Sequence, residues 1–211
     1  ICEMKVLMLH GYTQNASVFK KRTDNLRRKS LKGAKFVFPN APRPCPPQFV
    51  ATDRPAEGQL GWFDNVGTTD VRPAHSRNVT GWKESLEGLV KVVEEEGPFA
   101  GVVGFSQGGV MGALLAATMP PQTFKFAVLM AANDPLDPSV QAVFDPASPV
   151  PLRTMFIAGD ADELVPPPAT KALADRFTDA RFLVVDGGGH GVPPNSHLKT
   201  IAAFVTEACS A

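Results

Sequence analysis

The sequence predicts a doubly wound α/β fold, with a mostly parallel sheet of about six strands and helices on both faces. Short continuous apolar runs alternate with longer segments of helical periodicity along the 211 residues. Continuous apolar runs are typical of strands buried on both faces, as in parallel sheets. Strands that alternate with helices indicate βαβ units. We therefore expect a single domain over residues 1–211.

Six apolar runs are the candidate strands, and four periodic segments are the candidate helices. The runs are residues 6–9, 35–38, 102–105, 126–130, 154–158 and 182–185. The helical segments begin at residues 82, 108, 169 and 197. The first of these stops at Gly97-Pro98 and the second stops before Pro120-Pro121, since proline does not continue a helix.

One long segment interrupts this alternation. Residues 39–79 are rich in proline and show little periodicity. Loops of this length are uncommon in compact domains and are usually functional or disordered. The apolar stretch Leu60-Gly61-Trp62-Phe63 argues against disorder. We expect an ordered excursion that covers the edge of the sheet where the site lies.

Composition excludes several classes of protein. The chain has 21 Lys and Arg against 21 Asp and Glu, so its charge gives no case for nucleic acid or an anionic membrane as the main partner. No apolar run is long enough to predict a membrane span. The three cysteines, Cys2, Cys45 and Cys209, have neither disulfide-framework nor zinc-site spacing. We expect a cytoplasmic protein, while a targeting segment upstream of Ile1 stays open.

Residues 104–108, Gly-Phe-Ser-Gln-Gly, form a G-x-S-x-G motif. The motif follows a predicted strand and opens a predicted helix, which is the setting of a nucleophile elbow. Small flanking residues allow the sharp turn, and the turn exposes the Ser106 hydroxyl at the end of the sheet. The alternative is a Gly-rich turn with an incidental serine. The strand–helix context favours Ser106 as a nucleophile.

A serine nucleophile needs a base, and the base needs an orienting acid. His190 and His197 follow Ser106, as the chain order Ser, acid, His requires, whereas His75 precedes it. His190 lies in a Gly-rich loop after the sixth strand, where an exposed and movable imidazole belongs. His197 begins a helix and fits a surface role better. We predict His190 as the base.

The acid comes from a loop after the fourth or fifth strand. Asp160 and Asp162 follow the fifth strand, and Asp134 follows the fourth. Asp160 is placed like a turn-forming or helix-capping residue. Asp162 lies further along the loop and has more reach toward His190. We favour Asp162, with Asp160 and Asp134 as the alternatives.

An oxyanion hole needs two N–H donors. The residue after the nucleophile, Gln107, supplies one, and the loop after the first strand supplies the other. That loop is His10-Gly11-Tyr12, so the backbone N–H of Tyr12 is the predicted second donor. We expect His10 to brace this loop by a hydrogen bond.

Several segments together resemble the FSH-type family of serine hydrolases, which are small α/β-hydrolases. They are residues 9–15, 36–42 and 97–108, the acid loop 159–165 with its G-x-x-D-x-x-V pattern, and Gly188-Gly189-His190. The resemblance covers nearly the whole chain and assigns the acid to Asp162. In one segment, Trp62-Phe63-Asp64, the sequence is more similar to the related acyl-protein thioesterase and carboxylesterase group than to the FSH-type family.

The resemblance implies hydrolysis of carboxylic esters or thioesters, with no metal and no organic cofactor. Members include thioesterases that release polyketide chains from their synthases. The implied partner is a small-molecule ester or thioester, including an acyl chain on a carrier. Two alternatives remain open: a ligand receptor or scaffold without turnover, and an acyltransferase. The sequence leaves the oligomeric state undetermined.

Trp62 and Phe63 have two interpretations. The proline-rich excursion leaves the sheet at the edge where the elbow emerges. Its two aromatic residues therefore either line an apolar acyl pocket as substrate-binding residues or anchor the long loop to the core. The sequence does not decide between these roles.

Overall fold

The sheet and its flanking helices follow the predicted alternation. A computed structural model describes residues 4–53, 57–67 and 77–210. In chain order its elements are β1 (Lys5–Leu9), α1 (Ala16–Arg22), α2 (Asp24–Ser30), β2 (Lys35–Val37), β3 (Arg43–Pro44), a 3-10 helix (Pro47–Phe49), β4 (Leu60–Gly61), β5 (Asp64–Asn65), β6 (Val79–Thr80), α3 (Trp82–Glu96), β7 (Gly101–Phe105), α4 (Gln107–Thr118), β8 (Phe126–Met130), α5 (Pro138–Gln141), β9 (Thr154–Gly159), α6 (Pro167–Ala174), β10 (Ala180–Val185), a second 3-10 helix (Asn195–His197) and α7 (Leu198–Ser210).

Within the described residues, the central sheet has six parallel strands in the order β10-β9-β8-β7-β1-β2. This confirms the predicted fold class. The register pairs Leu9 with Gly104 and Val185 with Gly159, so each pair of neighbouring strands ends at the same level. The loops after β1 and β7 are therefore side by side, as are the loops after β9 and β10.

Alternate residues of the strands feed two apolar layers, one on each face of the sheet. Leu7, Leu129 and Phe156 pack in the layer that includes α3 and α4 residues. Val6 and Met130 pack on the opposite face with side chains of α1, α2 and α7. The side-chain period of two in a strand produces this division. It explains why the strands are continuously apolar.

The four predicted helices are present as α3, α4, α6 and α7, with bounds that differ by a few residues. Three helices were not predicted, namely α1, α2 and α5. None of these described helices is both long and apolar enough to cross a membrane.

The described part of the 39–79 excursion contains two short antiparallel strand pairs, β3 with β4 and β5 with β6. An ion pair between Arg43 Nε and Asp64 Oδ2, 2.7 Å apart, links the two pairs. The rest of the predicted excursion, residues 54–56 and 68–76, lies outside the described residues.

Candidate active site

Ser106 occupies the sharp turn between β7 and α4. Its backbone has φ 52° and ψ −122°, a conformation that non-glycine residues rarely adopt. A Cβ on Gly108 would lie 2.3 Å from the carbonyl oxygen of Leu9, so this flank of the motif requires glycine. The backbone N–H of Ser106 donates to the Met130 carbonyl at 2.8 Å, which ties the turn to β8. Strained backbone of this kind is held by its surroundings and clusters at functional sites.

Ser106, His190 and Asp162 are brought together at the carboxyl ends of three strands. The Ser106 Oγ lies 3.0 Å from His190 Nε2. The His190 Nδ1 lies 2.8 Å from Asp162 Oδ2. With its proton on Nδ1, the imidazole donates to the carboxylate and accepts from the serine hydroxyl.

Asp162 is held in place by the backbone that follows it. Its Oδ1 accepts hydrogen bonds from the N–H groups of Leu164 at 2.9 Å and Val165 at 2.8 Å. Burial alone raises the pKa of the Asp162 carboxyl. The hydrogen bonds from His190 and from these amides outweigh burial, so its pKa lies below the usual range. The carboxylate is therefore charged at neutral pH.

The alternative acids lie elsewhere. Asp134 forms a two-point ion pair with Arg176, with nitrogen–oxygen distances of 2.8 and 3.3 Å. Asp160 is exposed at the start of the loop. Neither carboxylate contacts His190, whose Nδ1 faces Asp162.

Two backbone N–H groups were predicted to bind an oxyanion, and both residues border the same cavity as Ser106. Gln107 is the first residue of α4, where N–H groups have no acceptor within the helix. Tyr12 follows β1, the strand next to β7. Tyr12 and Gln107 therefore follow the carboxyl ends of two neighbouring strands.

The cavity beside Ser106 has a volume of about 370 Å³. Its apolar lining includes Phe49, Phe105 and Leu164, and its polar lining includes Gln14 and Asn65. Phe49 and Asn65 belong to the excursion, so this segment forms part of the cavity wall. The sequence predicted that this segment covers the site, but it gave no basis for choosing Phe49 or Asn65 as lining residues, because both lie in short elements without periodicity.

Trp62 and Phe63 are not among the described residues that line this cavity. Trp62 is 1% exposed and Phe63 is 6% exposed. Both side chains point away from solvent and pack in the apolar layer that includes α3 and α4 residues. The contacts agree with the anchoring interpretation rather than with an acyl pocket. The physical reason is that the polypeptide turns both aromatic side chains toward the core.

His10 braces the loop after β1. Its Nδ1–H donates to the Gly11 carbonyl at 2.8 Å, and its Nε2 accepts the Ala41 N–H at 3.0 Å. Burial lowers the pKa of His10 to about 4, although the bond to Gly11 opposes this shift. The imidazole is therefore neutral at physiological pH and acts as a structural link.

Fold and site together define a class of protein. A parallel sheet with a serine at a strand–helix turn, beside an imidazole and a carboxylate from later loops, is the arrangement of an α/β-hydrolase. A model of the family described as "Serine hydrolase (FSH1)" matches residues 2–201. The chain belongs to this family of serine hydrolases.

Curated relatives and a solved structure are similar to this chain. Esterase C25G4.2 of Caenorhabditis elegans is 32% identical, and the match covers 97% of this chain and 94% of that protein. A dihydrofolate reductase of Schizosaccharomyces pombe is 30% identical over 93% of this chain, but the match spans only 45% of that longer protein. The crystal structure of SOBER1 from Arabidopsis thaliana has a TM-score of 0.76 at 20% identity, covering 99% of this chain and 100% of that one. This last likeness concerns the fold. The family and its esterase relatives define the chain as a hydrolase of the serine esterase class.

Proposed function

We propose that the protein hydrolyses carboxylic esters or thioesters through an acyl-enzyme formed on Ser106. The observation that carries this proposal is the pair of hydrogen bonds that joins Ser106 to His190 and His190 to Asp162. Its two contacts, 3.0 and 2.8 Å long, are within the reach needed for proton transfer between positioned groups. Ser106, at one end of this hydrogen-bonded triad, borders a cavity large enough for a ligand.

The acylation step follows from this geometry. The Ser106 Oγ attacks the acyl carbon while His190 Nε2 takes the hydroxyl proton. The Asp162 carboxylate stabilises the imidazolium and holds the ring in the productive tautomer. The N–H groups of Tyr12 and Gln107 bind the oxyanion of the tetrahedral intermediate. Collapse of the intermediate breaks the bond to the leaving group, which receives the proton from His190.

Deacylation repeats the same steps with water. His190 takes a proton from a water molecule, and the oxygen of that water attacks the acyl carbon. The carboxylic acid is released when His190 returns the proton to Ser106 Oγ. Every proton is carried by this chain's own residues.

The cavity supports a substrate of modest size. A volume of about 370 Å³ lies near the lower end of ligand-binding cavities. Phe49 and Leu164 supply apolar surface for an acyl group, and Gln14 and Asn65 supply polar groups. Small esters and thioesters, including an acyl chain on a carrier, suit this lining.

The test is direct observation of the acyl-enzyme. Mixing the protein with p-nitrophenyl acetate should give a burst of nitrophenol and a mass increase of one acetyl group. Ser106→Ala should give neither. Ligand binding without any adduct in the wild type would favour a receptor or scaffold instead. Transfer of the acyl group to an added alcohol in preference to water would favour an acyltransferase.

The cytoplasmic location remains part of the proposal. Among the described residues, Cys45 and Cys209 are both free thiols, as expected in a reducing compartment. Imaging of the tagged full-length protein tests this, and a secreted protein would contradict it.

A further inference from the structure

The two proposed oxyanion donors lie on separate loops, and something must fix the distance between them. Tyr12 follows β1 and Gln107 begins α4. Electrostatic stabilisation of a transition state depends on donors that are already in position before the charge develops. A displacement of about 1 Å can reduce turnover by about a hundredfold.

Trp62 is bonded to the first of these loops through its side chain. The indole Nε1–H donates to the backbone carbonyl of His10 at 2.8 Å. His10 lies two residues before Tyr12, and its ring centroid is 5.1 Å from that of Trp62. The indole therefore fixes the strand end from which the Tyr12 donor emerges.

Trp62 is bonded to the second loop through its backbone. Its N–H donates to Gln107 Oε1 at 2.7 Å. Gln107 Nε2 in turn donates to the carbonyl of Phe63 at 2.7 Å. Gln107 carries the other donor, and both polar atoms of its side-chain amide are thus hydrogen-bonded to the backbone of residues 62 and 63.

Trp62 itself is held from a third side. Ser85 Oγ, on α3, donates to the Trp62 carbonyl at 2.5 Å. Only 1% of the surface of Trp62 is exposed, so these partners and the apolar layer enclose the residue.

We propose that Trp62 is a positioning residue that fixes the two oxyanion-hole loops relative to each other, and this inference rests on the proposed function above. Trp62 touches neither the cavity nor the reacting atoms, so it acts through His10 and Gln107. This gives the tryptophan a role in turnover rather than in acyl-chain binding.

The test is Trp62→Phe, which removes the indole N–H and keeps an aromatic ring. The value of kcat for a small p-nitrophenyl ester should fall about tenfold to a hundredfold, while KM changes little. The affinity for an alkyl boronic acid should fall by a similar factor, because its tetrahedral adduct on Ser106 uses the oxyanion hole. The inhibition constant of the product acid should stay near the wild-type value.

Trp82→Phe is the matched control. Trp82 lies in the same apolar layer, and its indole Nε1 also donates a hydrogen bond, to Ser139 Oγ at 3.3 Å. It has no bond to either oxyanion loop among its described contacts. Trp82→Phe should therefore lower thermal stability while leaving kcat and boronic-acid affinity close to wild type.

A second variant covers the case in which Trp62→Phe does not fold. The chain has two tryptophans, so in the Trp82→Phe background a biosynthetic analogue enters position 62 alone. An analogue with sulfur in place of the ring N–H keeps the shape and removes the donor. Unchanged kcat and boronic-acid affinity in this protein would overturn the positioning role. Failure of the proposed function is distinguishable, because the wild type itself would then form no acyl-enzyme.

Discussion

The backbone N–H of Ala161 donates a hydrogen bond of 2.9 Å to the carbonyl oxygen of Gly188. Ala161 directly precedes Asp162, and Gly188 lies two residues before His190. The acid loop and the histidine loop are thus joined by their backbones, next to the contact between the two side chains. The geometry of the Asp162–His190 pair therefore depends on how closely the two loops approach.

Gly159→Ala tests that dependence. A Cβ at this position would lie 2.1 Å from the Gly188 carbonyl oxygen, so the loops must separate to admit it. We expect kcat to fall by up to about a hundredfold. The free energy of unfolding should fall by about 1–3 kcal/mol. Steady-state kinetics and chemical denaturation measure the two effects.

The control for this variant is Gly189→Ala. An added Cβ there would meet nothing within 4 Å, so both kcat and stability should remain near wild type. Equal losses of kcat and stability in the two variants would show that these losses do not come from separation of the acid and histidine loops.

Asp162→Asn should lower kcat by about 10⁴-fold, because an amide favours the wrong tautomer of the histidine. Asp134→Asn should mainly weaken the ion pair with Arg176 and affect stability more than turnover. Asp160→Asn should have little effect on either. Kinetics of the three purified variants decide the assignment, and a crippled Asp134→Asn enzyme with an active Asp162→Asn enzyme would reverse it.

Stability should decrease as the pH falls from about 6.5 to about 4. Burial lowers the pKa of His10 to about 4, so across this window the unfolded chain binds a proton that the folded chain does not. Stability therefore rises with pH here, by a total of about 3 kcal/mol at 1.36 kcal/mol per pKa unit. The contribution of Asp162 is lost at lower pH, because its pKa is depressed in the folded state.

His10→Gln isolates this effect, since an amide oxygen can still accept the Ala41 N–H. Urea denaturation at several pH values should show a flatter profile for the variant between pH 4 and 6.5. Identical slopes for the two proteins would mean that His10 does not titrate as described.

Acyl-chain preference should depend on Phe49 rather than on Trp62. Phe49 lines the cavity beside Ser106, whereas the described lining does not include Trp62. Each buried methylene can contribute up to about 0.8 kcal/mol, so kcat/KM should rise about three- to fourfold per methylene until the cavity is filled. Phe49→Ala should change how steeply kcat/KM rises with acyl-chain length. Trp62→Phe should lower all rates in parallel.

A panel of p-nitrophenyl esters and acyl thioesters, from acetyl to palmitoyl, measures these profiles. A change of chain-length preference in Trp62→Phe, with no change in Phe49→Ala, would restore the acyl-pocket interpretation of Trp62.

The sheet and the elbow were predictable because their signals are local. The apolar runs of β7, β8 and β9 need no tertiary information to be recognised, and the motif around Ser106 lies between a strand and a helix. Helices α1 and α2 escaped prediction because six of the 15 residues 16–30 are Lys or Arg, and because Thr23 separates the two helices. Their few buried side chains give a weak helical pattern.

The links made by Trp62 could not be predicted for a different reason. The sequence shows that Trp62 is apolar and lies in a proline-rich segment, which suits a pocket and an anchor equally. Its hydrogen bonds to His10 and Gln107 join residues far apart in the chain, so only the folded arrangement reveals them. The pairing of Asp134 with Arg176 is likewise a tertiary contact that no spacing rule supplies.

The most direct test of the account is active-site labelling with a fluorophosphonate, followed by mass mapping of the modified peptide. We predict that one phosphonyl group attaches to each wild-type chain, that it maps to Ser106, and that ester turnover is lost in proportion to the labelling. Ser106→Ala should not be labelled, should retain the wild-type melting temperature, and should show esterase activity near background. Labelling at a different residue, or undiminished ester hydrolysis by folded Ser106→Ala, would contradict the assignment of Ser106 as the nucleophile.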